Sequence, residues 1–132
     1  MATEVTGDDL IMDLTLEQGG GRETQVQPPL NVWAHYFGLD FDNLPTYHMR
    51  NRSEAWAAPE SRPVVEHDHN WTIEIIGAEL PRPAILRLRR TDPFHFDYWV
   101  YRDDEDEFHH CDWILATFAN PFYTHGRRWL IL

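Results

Sequence analysis

Hydrophobic and polar positions alternate along "DLIMDLTLE", with Leu10, Met12, Leu14 and Leu16 on one side and Ile11, Asp13, Thr15 and Glu17 on the other. A period of two marks extended chain, because successive side chains of a strand point to opposite faces. The stretch that follows, "QGGGRETQVQPP", has three glycines to loosen the backbone and two prolines to block a helix, so it reads as a connector. Residues 1–29 are therefore expected to form a flexible acidic tail carrying an extended docking or strand segment at 9–17. Residues 30–132 are expected to form a single domain.

The period then changes. In "PPLNVWAHYFGLD" the apolar residues Leu30, Trp33, Ala34 and Phe37 recur at helical spacing, Pro29 suits a helix start and Gly38 its end. "NRSEAWAAPE" has room for a second short helix before Pro59. From residue 63 the period returns to two. "WTIEIIGAEL" and "AILRLRR" read as strands, and "FHFDYWVYR" places Phe94, Phe96, Tyr98 and Val100 opposite His95, Asp97, Trp99 and Tyr101. "TDP" reads as a tight turn, "DDEDE" as a solvated acidic loop, and "DWILATF" and "RRWLIL" as the last strands. The predicted class is α+β, with one or two N-terminal helices packed on an antiparallel β-meander of about four to six strands.

Composition narrows the function. The chain has 132 residues, enough for one core, and 22 acidic side chains against 11 basic ones give a net charge of −11. Such a charge repels phosphate backbones and anionic lipid, so nucleic acid and membrane are not expected as partners. Cys111 is the one cysteine, which rules out an intrachain disulfide. No run of about 18 apolar residues is present, and the N-terminus lacks a signal-peptide pattern. The expectation is a soluble, intracellular protein.

Every basic residue is arginine. Without a lysine there is no Schiff base, no Walker-type phosphate-binding lysine and no PD-(D/E)xK nuclease centre. No side-chain amine is available for ubiquitin or a ubiquitin-like modifier either.

Two histidine clusters could carry chemistry. In "EHDHNWTIE", His67, His69 and Glu74 have the His-x-His-x4-Glu spacing and resemble part of the first cupin motif; the bracketing glycines are missing, and the second motif is reduced to Pro121 and His125. That resemblance implies a divalent metal and a pocket enzyme. The bland reading is a polar hairpin loop. In "EFHHCDW", neighbouring side chains of a strand would diverge, and no second cysteine completes a zinc site. Catalytic residues are expected at neither place.

Arg87, Arg89, Trp99 and Tyr101 share a predicted sheet face, and arginine, tryptophan and tyrosine are the usual anchors of protein interfaces. The same face could be held by Arg–Asp pairs across strands. Ile11, Met12, Asp13, Leu14 and Thr15, after Asp8 and Asp9 and before Leu16 and Glu17, resemble a SUMO-interacting motif. That resemblance implies an added strand in a SUMO groove, acidic flanks on a basic rim, and a nuclear location. The alternative is that the segment joins the protein's own sheet. The leading expectation is a non-enzymatic acidic interaction module or adaptor that binds SUMO or another basic surface without a cofactor. A cupin-like metal enzyme, and an acidic inhibitor or viral accessory protein that blocks a basic site, are the alternatives.

Overall fold

The computed structural model describes residues 8–14, 25–54, 56–67, 70–75, 80–119 and 128–132. Its strands are β1 (Asp9–Leu14), β2 (Gln25–Val26), β3 (Thr46–Asn51), β4 (Glu60–Pro63), β5 (Val65–His67), β6 (Asn70–Glu74), β7 (Ala84–Asp92), β8 (His95–Arg102) and β9 (Trp129–Ile131). One helical segment comprises α1 (Leu30–Val32) and a π-helical turn (Trp33–Phe37), and the other is α2 (Asp106–Phe118). The class is mixed α+β, as the periodicity indicates.

The connectivity is not a meander. The main sheet runs β4-β3-β8-β7-β1-β9, and β3 lies parallel to β8 while its other pairings are antiparallel. A smaller sheet, β2-β6-β5, forms a separate layer. Adjacent strands in the sheet are thus often distant in sequence, which a local pattern of period two cannot convey.

β1 is an interior strand. It pairs with β7 from Asp9↔Arg89 to Leu14↔Ala84, and with β9 from Leu10↔Ile131 to Met12↔Trp129. Its alternation has a role on both faces. Leu10, Met12 and Leu14 enter the larger core with Leu86, Leu88, Phe96, Tyr98, Tyr47 and Met49, which Val26, Ile73, Trp33 and Tyr36 cover from the other layer. Ile11 points the other way, into a second core with Ile85, Tyr101, Cys111 and Leu115 beneath α2. Burying one such aliphatic side chain contributes about 1.5–3 kcal/mol, so β1 is held from both sides.

Two expectations are corrected here. "DWILATF" is helix rather than strand, because Phe108, Cys111 and Leu115 follow helical spacing and Asp106 and Glu107 place negative charge in the first turn, where the helix dipole favours it. The expected second N-terminal helix is absent from the described part of 51–60, which turns from β3 into β4. The first helix is short, and Gly38 ends it at φ 62°, a left-handed geometry that favours glycine. The helix buries Val32, Trp33 and Tyr36, while Leu30 stays 58% exposed.

Candidate functional site: the open half of the outer sheet face

α2 covers only part of the sheet face that carries Ile11, Ile85 and Tyr101. The same face continues across β3, β8, β7 and β1, because His48 is registered with His95, Arg50 with Asp97, Asp97 with Arg89, Trp99 with Arg87 and Arg89 with Asp9. Alternation within each strand and the register between strands together bring these polar residues onto one face. The His48 and His95 rings stack with centroids 4.6 Å apart.

Two carboxylates organise the arginines. Asp9 accepts from Arg87 Nη2 at 2.8 Å and from Arg89 Nε at 2.8 Å, so one carboxylate sits between two guanidinium groups. Burial alone would raise the Asp9 pKa, but hydrogen bonds and charge from Arg89 and Arg87 outweigh it and hold the carboxyl below the usual carboxylate range. Asp97 is 7% exposed, takes a two-pronged contact from Arg50 at 3.0 and 3.1 Å, and lies 3.7 Å from Arg52. Each carboxylate meets two cations, so each group keeps one unit of positive charge. The guanidinium of Arg87 also lies 4.6 Å from the Trp99 ring centroid, and that of Arg89 lies 5.7 Å away.

The β3–β4 turn borders this face. Arg50, Arg52, Glu54 and Ala57 line a pocket of about 320 Å³, and in the same turn Trp56 is 96% exposed. A tryptophan with almost no internal packing is unusual, since the side chain carries a large apolar area.

Other expected site residues are placed differently. Ile11, Met12 and Leu14 are buried, Asp13 is 9% exposed, and both edges of β1 are occupied; Thr15 and Leu16 lie outside the described residues. Strand addition to another protein needs a free edge, which Leu10–Met12 does not offer while β7 and β9 are in place. Tyr101 is buried under α2, where it lines a pocket of about 260 Å³ with Arg87, Asp106, Glu107, His110 and Cys111. Burial pushes the Cys111 thiol up, which keeps it protonated and a weak nucleophile.

The backbone register sets His67 and Glu74 apart. His67 pairs with Asn70 at one end of the β5–β6 hairpin, whereas Glu74 pairs with Gln25 four residues farther along β6, roughly 13 Å away at strand rise. His69 and His125 lie outside the described residues. Among the described residues no three His, Cys, Asp or Glu side chains gather as metal ligands would.

The sequence pattern gives Arg50, Arg52 and Trp56 no site role, and it gives Asp9 only that of an acidic flank to the 11–15 segment. The available signal was "RNRSEAWAAPE", a tryptophan and two arginines in a run without apolar periodicity.

No protein-family model matches the chain, and no curated protein matches its sequence. Among solved structures the fold is similar to the N-terminal domain of Helicobacter pylori LlaJI.R1, with a TM-score of 0.64 over 94% of this chain and 98% of that one. Identity between the two is 7%, so the likeness concerns the fold. No helix among the described residues is long and apolar enough to cross a membrane.

Proposed function

We propose that the protein is a non-enzymatic interaction module that docks an acidic segment of a protein partner on the open half of its outer sheet face. The observation that carries this reading is Trp56, 96% exposed in the same turn as Arg52, its chain neighbour Ala57 lining a pocket with Arg50, Arg52 and Glu54. Tryptophan and arginine dominate the energetics of protein interfaces, and a rim of guanidinium groups fixes carboxylates in two-pronged geometry. The charge balance of the face supports an acidic occupant. Arg50, Arg52, Arg87 and Arg89 face three carboxylates, Asp9, Asp97 and Glu54, on a chain whose total is −11.

The ion pairs also prepare the surface. Arginines already held by Asp9 and Asp97 lose less side-chain freedom on binding than free ones would. A capture experiment tests the reading. Wild-type protein, Trp56→Ala, Arg52→Glu and the control Arg102→Glu are immobilised and exposed to extract of the source cell, and each retained protein is then titrated in purified form. The expected partner binds wild type and the Arg102 variant and is lost from the other two. Equal retention by all four removes the proposal.

A further inference from the structure

A second site lies on the opposite sheet face, at the β7–β8 turn, and is independent of the docking face. Phe37, Gly38, Tyr47, Arg90, Pro93, Phe94 and Phe96 line an open pocket of about 270 Å³. Four of these are aromatic, and their rings already form a connected set. The Phe37 and Tyr47 centroids are 5.3 Å apart, Tyr47 and Phe96 meet edge to face at 5.3 Å, and Phe94 stacks on Tyr47 at 5.9 Å with planes 26° apart.

Phe94 is held there against its own backbone preference. It occupies the second position of a two-residue turn at φ 64°, where glycine or asparagine is favoured and a bulky side chain is strained. Its carbonyl accepts from the His48 amide at 2.8 Å, which anchors the turn to β3. The ring nevertheless remains 54% exposed. A turn that needs only a small residue instead carries a half-exposed aromatic surface over Tyr47, and strain of this kind concentrates where ligands bind.

Arg90 supplies the charge. It is half-buried, its guanidinium lies 4.9 Å from the Tyr36 ring centroid and 5.8 Å from that of Phe96, and it donates to the Tyr36 carbonyl. No carboxylate among the described residues forms an ion pair with it, although acidic residues outnumber basic ones two to one. The other half-buried arginines at the sheet, Arg50, Arg62, Arg87 and Arg128, each have a carboxylate partner. Arg90 is thus a preset cation at the wall of an aromatic pocket.

We infer that this pocket binds a small, free aromatic carboxylate, with its ring against Phe94, Tyr47 and Phe37 and its carboxylate on Arg90. Size and charge together select that class. About 270 Å³ suits a single ring with a short acidic arm, and the chain's net charge of −11 disfavours a polyanion. Offset and edge-to-face ring contacts supply affinity, while the guanidinium selects the acid over its neutral analogue. Burial pushes the Tyr47 hydroxyl up to about 12, so it stays neutral beside the carboxylate at any ordinary pH.

Three probes differ in one feature each: phenylacetate has ring and charge, 2-phenylacetamide the ring alone, and acetate the charge alone. Each is titrated into the full chain while backbone amide shifts are followed by NMR. Saturable shifts at Gly38, His48 and Phe94 are expected with phenylacetate, about tenfold weaker binding with the amide, and none with acetate. Phe94→Gly suits the turn and keeps the fold, yet loses phenylacetate. Arg90→Gln erases the preference for acid over amide. The inference is overturned if acid and amide bind equally to wild type, if Phe94→Gly binds like wild type, or if no saturable shift appears at millimolar phenylacetate.

Discussion

Arg128 grips Asp13 with two parallel hydrogen bonds, Nε to Oδ2 at 2.8 Å and Nη2 to Oδ1 at 3.1 Å, and extends Nη2 to Asp112 Oδ1 at 2.7 Å. One guanidinium therefore ties β1 and the start of β9 to α2. The Asp13 side chain is 12% exposed and that of Asp112 is 47% exposed, so the two contacts differ in weight. Asp13→Asn should cost about 2–3 kcal/mol by leaving a poorly solvated cation without its main partner. Asp112→Asn should cost less than about 1 kcal/mol, as exposed pairs do. Urea midpoints of the two variants measure the difference.

Acid should weaken the fold partly through Asp9. Its carboxyl is held below the usual range in the folded protein, so its contribution is present above the unfolded value of about 4 and is lost as pH falls through the folded value. Asp9→Asn should cost about 2 kcal/mol at neutral pH and flatten this part of the acid limb. Denaturant titrations between pH 7 and pH 2 (roughly the window in which carboxylates protonate) follow both effects.

Alkali should unfold the protein cooperatively. Burial raises the hydroxyls of Tyr47 and Tyr98 to about 12, and that of Tyr36 still further. An unfolded tyrosine ionises near 10, so stability is intact below that pH and falls as pH rises towards the folded values. Each tyrosine removes about 1.4 kcal/mol per pH unit in that window. Tyrosinate absorbance and circular dichroism should therefore change together above pH 10. Tyrosines that ionised with no loss of ellipticity would contradict their burial.

Leu115 tests the second core. It is 1% exposed beneath α2, beside Ile11, Ile85 and Cys111. Leu115→Ala should cost about 2–4 kcal/mol by leaving a cavity, whereas Trp113→Ala on the exposed side of the helix, where Trp113 is 59% exposed, should change stability little. Thermal unfolding of the two variants makes the comparison.

Local periodicity made part of this legible. Alternation in 10–14, 84–92 and 95–102 predicts which side chains share a face, and Leu10, Met12, Phe96 and Tyr98 do enter one core. The Arg87–Trp99 neighbourhood was visible for the same reason, as was the chance that Arg–Asp pairs hold that face. Partner choice between strands was not visible. Asp9 meets Arg87 across 78 residues, and the parallel β3–β8 pair is set by packing of the whole sheet rather than by either strand's pattern. The acidic run at the start of α2 reads as a solvated loop in isolation, although acidic residues also suit a helix's first turn. Trp56 and Arg90 carry no signal in the sequence, because the one is distinguished by exposure and the other by the lack of a carboxylate partner among the described residues, and both are properties of the folded chain.

The place of β1 bears on how the protein is made. Its partners β7 and β9 are far along the chain, with Arg128 lying 115 residues beyond Asp13, so the middle of the sheet closes only by joining distant segments. Such long-range pairing slows folding, and a growing chain must carry the apolar strand Leu10–Leu14 unpaired until β7 has been synthesised. Until β9 arrives, one edge of that strand also remains open to a second copy. Loss of the segment from Arg128 onward should therefore show itself first as aggregation.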